Sequence, residues 1–198
     1  GSIKHYNPVS LHPAMREYTI FIDAVSKAFA ATGVRVGWSF GPAAIIGKMK
    51  AIMTHIGAWA PMAEQKATAA YLVQKEKVDV YLNGFRAAVS QRLNLIHQGF
   101  VKLRHEGFNV DVLHPEAAIY LTIKIDLKGK KTRDGILLGE QSDVTSYLLD
   151  VAALAVVPFS AFGASKTSPW YRLSVGTCKL EDIPEMLGKL RTAMEGLT

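Results

Sequence analysis

The pattern of apolar and polar residues divides the chain into a β-rich start, a long helical middle and a mixed end. Two β-branched and aromatic runs, at 18–25 and 35–40, predict strands, and the first of them is predicted to be buried. After a Gly-Pro pair, the spacing of apolar residues predicts a helix over 43–59. Helical spacing then continues from Pro61 to about His105, with a break predicted near Gly84 or earlier.

In the last third of the chain, the spacing of apolar residues changes from the helical period to the strand period. One helical stripe of apolar residues is predicted to be buried before the change, and it consists of Val89, Leu93, Ile96, Phe100 and Leu103. After Gly107 the pattern predicts short strands in FNVDVL, AIYLTIKI, AVV and WYRLSVG, with helices over 143–154 and 180–195. Ser142 or Asp143 is the predicted cap of the first of these helices. An α/β part followed by an α+β part is therefore expected.

Composition narrows the class of protein. The 198 residues are 49% hydrophobic and include a single cysteine, Cys178, which excludes an intramolecular disulfide. No apolar run is long enough to cross a bilayer and no secretory signal opens the chain, so a cytoplasmic location is expected. The first two residues, Gly1-Ser2, are typical of the remnant that tag removal leaves, so the chain is expected to be a fragment.

The charge of the chain adds little evidence for an anionic partner. The formal net charge is +6, but the basic residues are scattered apart from a cluster at Lys128, Lys130, Lys131 and Arg133. This cluster surrounds Gly129 without interleaved aromatic residues, which indicates a solvated turn and no nucleic-acid partner. The six histidines show no metal-binding spacing, so no metal site is predicted.

The segment SKAFAATGVRVG, at 26–37, is the most informative in the chain. A lysine at the end of a buried strand is costly unless its charge is paired or its pKa is lowered, so Lys27 requires a reason. Small residues follow, and Arg35 is expected to enter the next strand. An amine and a guanidinium in one cleft could hold a phosphorylated aldehyde, the amine at the carbonyl carbon and the guanidinium at the phosphate.

This segment resembles the S-K-x-x-x-x-T-G-x-R-x-G signature of the class I aminotransferases, which are fold type I enzymes dependent on pyridoxal 5'-phosphate. The resemblance implies that Lys27 forms the Schiff base with the cofactor and that Arg35 binds its phosphate. Ser26 is implied as a second phosphate contact. Some relatives carry a further serine three residues before the lysine, where this chain has Ala24.

A second pair of motifs extends the resemblance toward the end of the chain. PFSAFG at 158–163, followed by WYRLSVG at 170–176, is similar to the family's closing motifs. Arg172 then corresponds to the arginine that binds the substrate α-carboxylate, a role suited to a planar, permanently charged fork. In the HPEAAIYL stretch the family often has glycine where this chain has Ala117. The resemblance covers the chain from about Val9 onward.

The resemblance implies a division into domains. Residues 1–75 are expected to form the C-terminal part of the large cofactor-binding domain, and residues 76–198 the small C-terminal α+β domain. The family's ring-stacking aromatic residue, its aspartate, its asparagine and its glycine-containing phosphate loop have no candidates before Lys27. The fragment is therefore expected to be inactive alone and its full-length parent to be a homodimer.

The predicted function is amino-group transfer between an amino acid and a 2-oxo acid, with aspartate and 2-oxoglutarate favoured by resemblance. Two alternatives remain open. The first is an aminotransferase-like ligand-sensing domain of a transcription regulator, which a DNA-binding motif in the missing N-terminal sequence would favour. The second is another fold type I reaction, such as elimination or decarboxylation, which the same lysine and arginines would serve.

Overall fold

The computed structural model describes residues 4–198, so the predicted tag remnant Gly1-Ser2 lies outside it. The described chain divides into two compact units, one ending at Phe85 and the other running from Arg86 to Thr198. We call them the first and the second unit. The division falls inside one long helix, α5 (Lys75–His105), whereas the predicted boundary, between residues 75 and 76, lies at its start.

The first unit contains short elements around two strands, followed by helices. Its elements in chain order are α1 (Pro8–Leu11), a 3-10 turn (Pro13–Tyr18), β1 (Phe21–Ala24), α2 (Val25–Ala28), a second 3-10 turn (Thr32–Val34), β2 (Gly37–Phe40), α3 (Ala43–Ile56), α4 (Met62–Leu72) and the start of α5. Both strands are shorter than predicted. The helical break lies between α4 and α5, within the predicted range, and Gly57 ends α3 with a φ of 65°.

The two strands of the first unit form an antiparallel ribbon. Phe21 pairs with Phe40 at one end, where the rings stack with centroids 4.6 Å apart, and Ala24 pairs with Gly37 at the other. The predicted burial of β1 is wrong for this chain, since Ile22 is 72% exposed. An isolated two-stranded ribbon has no neighbouring strand and no packed layer that could bury both of its faces.

The second unit is built on a four-stranded antiparallel sheet in the order β3-β4-β6-β5. Its strands are β3 (Val110–Val112), β4 (Tyr120–Ile125), β5 (Val157–Pro158) and β6 (Trp170–Ser174), and its further helices are α6 (Gln141–Asp150) and α7 (Ile183–Glu195). Burial alternates along β4 and β6, because successive side chains of a strand point to opposite faces. One face of the sheet therefore contributes to a core.

The core of the second unit confirms the predicted stripe of α5. All five of its members are buried, and Phe100 has no exposed surface. They share the core with Leu121, Ile123, Ile125, Val144, Leu148, Tyr171, Leu173, Ile183 and Leu190. Burial raises the pKa of Tyr171 to about 12, so its phenol stays neutral.

Two local features of the second unit can be compared with the sequence predictions, and only the first of them differs. Helix α6 starts earlier than predicted, because Glu140 caps it and exchanges hydrogen bonds with Asp143 in a capping box. The basic cluster lies around a turn at Gly129, which has a φ of 86°, and Lys131 exchanges backbone hydrogen bonds with Thr198.

No helix within residues 4–198 is both long and apolar enough to span a membrane.

Candidate functional site

Lys27 lies in the one-turn helix α2, directly after β1. The turn is tied to the start of the second strand by a backbone hydrogen bond of 3.2 Å from Val25 N to Val36 O, and both valines are buried. Ser26 is half-buried, whereas Lys27 is exposed. Lys27 therefore follows β1 as predicted, but its side chain is exposed in this chain, because β1 is itself not covered.

Arg35 precedes β2, so the expectation that it enters the strand is wrong. Its backbone is left-handed, with a φ of 58°, and one guanidinium nitrogen donates to Thr32 O at 2.9 Å. Ala30 is also left-handed, with a φ of 49°. Such conformations cost free energy for residues with a Cβ, and they concentrate at functional sites. The turn at Ala30–Arg35 is therefore a candidate for a binding role, although Ala118 and Ala153 share the conformation elsewhere.

Gly37 and Gly33 of the same segment have different steric surroundings. A Cβ on Gly37 would lie 3.0 Å from Asp23 O and 3.2 Å from the Cβ of Ala24, so the pairing of β1 with β2 requires a glycine there. A Cβ on Gly33 would meet nothing within 4 Å. Open space beside Gly33 allows a ligand to approach the backbone between Lys27 and Arg35.

Arg172 belongs to the second unit, at the middle of β6. It pairs with Thr122 of β4 on one side and with Val157 of β5 on the other. Its neighbours in β6, Tyr171 and Leu173, face the core, so Arg172 projects from the opposite face of the sheet. Its Nε is buried without a hydrogen-bond partner, and within residues 4–198 the guanidinium has no acidic partner.

Two aromatic rings, neither of which was predicted from the sequence, lie against the guanidinium of Arg172. The guanidinium carbon lies 4.5 Å from the ring centroid of Tyr120 and 4.7 Å from that of Phe162. Tyr120 starts β4, and Phe162 ends a 3-10 turn, Phe159–Phe162, within the PFSAFG motif. The available signal was the presence of an aromatic residue in each of the two stretches that carry the family resemblance.

A polar side chain of α6 holds the turn that carries Phe162. The Ser160 hydroxyl donates to the Gln141 Oε1 at 2.5 Å, and Gln141 Nε2 donates to Ser168 O. Gly163 closes the turn with a φ of 90°, a conformation that suits glycine. Gln141 thus links the first helix turn of α6 to both ends of the segment 160–168.

Each unit presents its own set of donor groups. The first unit presents an amine and a guanidinium separated by an open, strained turn, which suits a phosphorylated aldehyde. The hydroxyl of Ser26, half-buried next to Lys27, provides a further donor. The second unit presents a guanidinium without an acidic partner, which suits a carboxylate. These donor sets fit the cofactor and the substrate group expected from the sequence.

The family model "Aminotransferase class I and II" matches residues 4–190. The chain is 29% identical over 198 residues to an aspartate aminotransferase of Rhizobium meliloti, with all of this chain and 46% of the relative covered. It is 32% identical over 200 residues to an aspartate aminotransferase of Geobacillus stearothermophilus, with 98% of this chain and 44% of the relative covered.

A solved structure gives the same comparison in three dimensions. The crystal structure of the Rhizobium meliloti aspartate aminotransferase superposes with a TM-score of 0.83 at 28% identity, over 100% of this chain and 47% of that chain. The chain thus has an aspartate aminotransferase-like fold with helices and sheets, and it spans about half the length of the curated relatives it matches.

Proposed function

Because the chain belongs to the class I and II aminotransferases, we propose that its full-length parent exchanges an amino group between an amino acid and a 2-oxo acid. Aspartate is the favoured donor and 2-oxoglutarate the favoured acceptor. In each turnover the donor leaves as a 2-oxo acid and the acceptor leaves as an amino acid. The family predicted from the two motifs is confirmed. The proposed reaction rests on Lys27, Arg35 and Arg172.

The chain corresponds to the C-terminal portion of such an enzyme. The relatives are covered over about half their length, and the order of the motifs favours this half, with Lys27 near the start and Arg172 near the end. The first unit then supplies the end of the large cofactor-binding domain, and the second unit supplies the small domain. The 198-residue chain alone is inactive, and the parent is a cytoplasmic homodimer.

Pyridoxal 5'-phosphate is the proposed cofactor, held by Lys27 through its amine and by Arg35 and Ser26 at its phosphate. Once bound, its ring withdraws electrons from the substrate α-carbon. Lys27 would also be the proton carrier: after the substrate amine has replaced its own, the free Nζ would take a proton from the donor α-carbon and, in the second half of the turnover, would give one to the α-carbon of the acceptor. The planar guanidinium of Arg35 presents several N–H donors in a fixed geometry, which suits it to a phosphate.

Arg172 binds the α-carboxylate that every donor and acceptor carries. A guanidinium can make two parallel hydrogen bonds to a carboxylate, and this fixes the plane of the substrate as well as its position. The α-carbon of the substrate is thereby held in one orientation, which is a positioning effect. The observation that carries the proposal is the state of Arg172, whose buried Nε has no partner and whose charge has no acidic neighbour within residues 4–198.

The relatives reported above are named as aminotransferases, which favours a catalytic role over a ligand-sensing domain of a transcription regulator. Elimination and decarboxylation would use the same lysine and arginines. A donor panel separates these reactions from transamination, because only transamination consumes a 2-oxo acid in proportion to the amino acid.

The test uses the full-length parent with amino donors and 2-oxoglutarate. We expect turnover with aspartate, a visible absorbance of the bound cofactor, and loss of both in Lys27→Ala. Lys48→Ala serves as a matched control, because Lys48 is an exposed lysine of α3 in the same unit. Unchanged absorbance and turnover in Lys27→Ala would refute the assignment of Lys27, and product formation without consumption of the 2-oxo acid would refute transamination.

A further inference from the structure

We propose that Tyr120 and Phe162 are positioning residues that hold the guanidinium of Arg172 ready for a substrate carboxylate. We call the three residues the aromatic clamp. The inference deepens the proposed function and rests on it, because it takes Arg172 as the group that binds the α-carboxylate. It concerns two side chains and a supporting residue, Gln141, to which the resemblance assigns no role.

The clamp is assembled from segments that are far apart in sequence. Thr122 pairs directly with Arg172, so Tyr120, two residues earlier in β4, lies diagonally across on the same face of the sheet. Phe162 approaches from the 3-10 turn Phe159–Phe162. The guanidinium carbon is within 4.7 Å of both ring centroids, well inside the range of a cation–π interaction, which is about 6 Å.

The geometry leaves the hydrogen-bonding capacity of the arginine unused. A cation over the face of an aromatic ring is attracted by the ring quadrupole, and this attraction does not consume its N–H donors. An acidic side chain would fix an arginine equally well, but it would occupy those donors and neutralise the charge. Within residues 4–198 no carboxylate pairs with Arg172, so its charge remains for a ligand.

Immobilising this side chain has a consequence for affinity. A free arginine side chain loses rotamer freedom when it is fixed, and this loss opposes binding. If the rings restrict the guanidinium before binding, the carboxylate meets a donor whose entropy has already been lost. Phe162 is 53% exposed, so it reaches this position at the open surface of the unit and needs support.

Gln141 provides that support. It accepts a hydrogen bond of 2.5 Å from Ser160 in the turn and donates to Ser168 O beyond it, so both ends of the segment that carries Phe162 are attached to α6. Phe159 also packs edge to face on Phe162, with ring centroids 6.1 Å apart. The position of Phe162 is therefore set by contacts that leave Arg172 itself untouched.

Kinetics of the full-length parent test the clamp. Tyr120→Leu and Phe162→Leu should each raise KM for every amino donor by about two- to fivefold, the range expected for one exposed cation–π contact, with kcat largely retained. Tyr120→Phe and Phe162→Tyr keep a ring and should restore KM. Phe108→Leu is the matched control, because Phe108 lies near another arginine, with Arg191 at 6.0 Å.

A second readout needs neither cofactor nor turnover. In the 198-residue chain, ring currents should shift the proton on Arg172 Nε upfield, and Phe162→Leu should remove part of the shift in an ¹⁵N–¹H spectrum. Gln141→Ala should reduce the shift as well, through the displaced turn. An Arg172 proton at the ordinary arginine position in the unsubstituted chain would overturn the proposal.

The outcomes separate the clamp from the proposed function. If Arg172→Lys leaves catalytic efficiency unchanged, the carboxylate role of Arg172 is refuted, whatever the rings do. If Arg172→Lys lowers efficiency while both leucine variants keep the KM of the unsubstituted enzyme, only the clamp is refuted. A fall in kcat at constant KM would indicate lost folded enzyme and would also refute the clamp.

Discussion

The two units differ in how they bury their apolar side chains. Of the 26 buried hydrophobic residues in the described chain, 24 lie in the second unit, and only Val25 and Val36 lie in the first. Helices α3 and α4 have no buried residue, and Ile52, Ile56 and Met62 are each at least 60% exposed. The second unit therefore has its own core, whereas the first lacks one.

This contrast shows which parts of a fold a chain can specify alone. Most large apolar side chains of the first unit are exposed or only half-buried within residues 4–85, and the chain spans about half the length of its relatives. Exposed apolar surface of this extent usually indicates an interaction site. The first unit would gain its stability from the remainder of the proposed parent, and the second unit from itself.

The largest expected effect tests this contrast in stability. Phe100→Ala removes a fully buried ring from the second unit and should lower the free energy of unfolding of the chain by about 3–5 kcal/mol. Ile52→Ala, at a site that is 60% exposed in the first unit, should change it by less than about 0.5 kcal/mol. Urea unfolding followed by circular dichroism measures both. Equal losses would contradict the contrast.

A smaller effect distinguishes the proposed roles of the two units in the parent enzyme. Arg35→Ala should weaken cofactor binding by about 1.5–3 kcal/mol, through a lost charge-assisted hydrogen bond. Arg172→Lys should lower kcat/KM by about ten- to hundredfold for all donors alike, while cofactor binding is retained. Cofactor titration and a donor panel measure the pair.

Arg133→Ala and Arg133→Lys are the matched controls, because Arg133 lies exposed in the basic turn and neither exchange there should change cofactor binding or kcat/KM. A loss in Arg172→Lys confined to dicarboxylic donors would move Arg172 from the α-carboxylate to the side-chain pocket. Unaltered cofactor binding in Arg35→Ala would argue against its phosphate contact.

The smallest expected effect is a pH dependence of the second unit. Burial lowers the pKa of His97 below its ordinary value of 6.5, and the nearby His114 and Arg104 lower it further. The unfolded chain then binds a proton more readily than the folded chain, so stability is complete above pH 6.5 and falls as the pH decreases through the window below it. His97→Gln should reduce this slope in urea unfolding, whereas His55→Gln, at an exposed site in the first unit, should leave it unchanged.

Local patterns predicted the second unit well. The stripe from Val89 to Leu103 is buried as predicted, because helical spacing alone determines which residues share a face. The start of α6 was predicted less well, since Glu140 rather than Ser142 or Asp143 caps the helix. Several polar residues in succession could each serve as a cap, and the capping box that selects one forms only in three dimensions.

The first unit and the candidate site depend on information beyond local pattern. The residues of β1 are typical of a buried strand, yet Ile22 is exposed, because burial depends on neighbours that local sequence does not specify. Lys27, Arg35 and Arg172 could be selected from motif spacing. Tyr120 and Phe162 could not be assigned to Arg172 from the sequence. Sheet pairing brings Tyr120 to Arg172 across about fifty positions, and a turn brings Phe162 to it across ten.

The continuity of α5 has a consequence for how the chain can be cut. Boundaries between compact units usually fall in exposed linkers, but here the boundary lies within a 31-residue helix, whose hydrogen-bonded backbone resists proteases. The nearest break in helical structure is at Val73 and Gln74, where Val73 is 80% exposed. Limited proteolysis would therefore release the second unit with the whole of α5 attached, including the eleven residues of the helix, 75–85, that belong to the first unit.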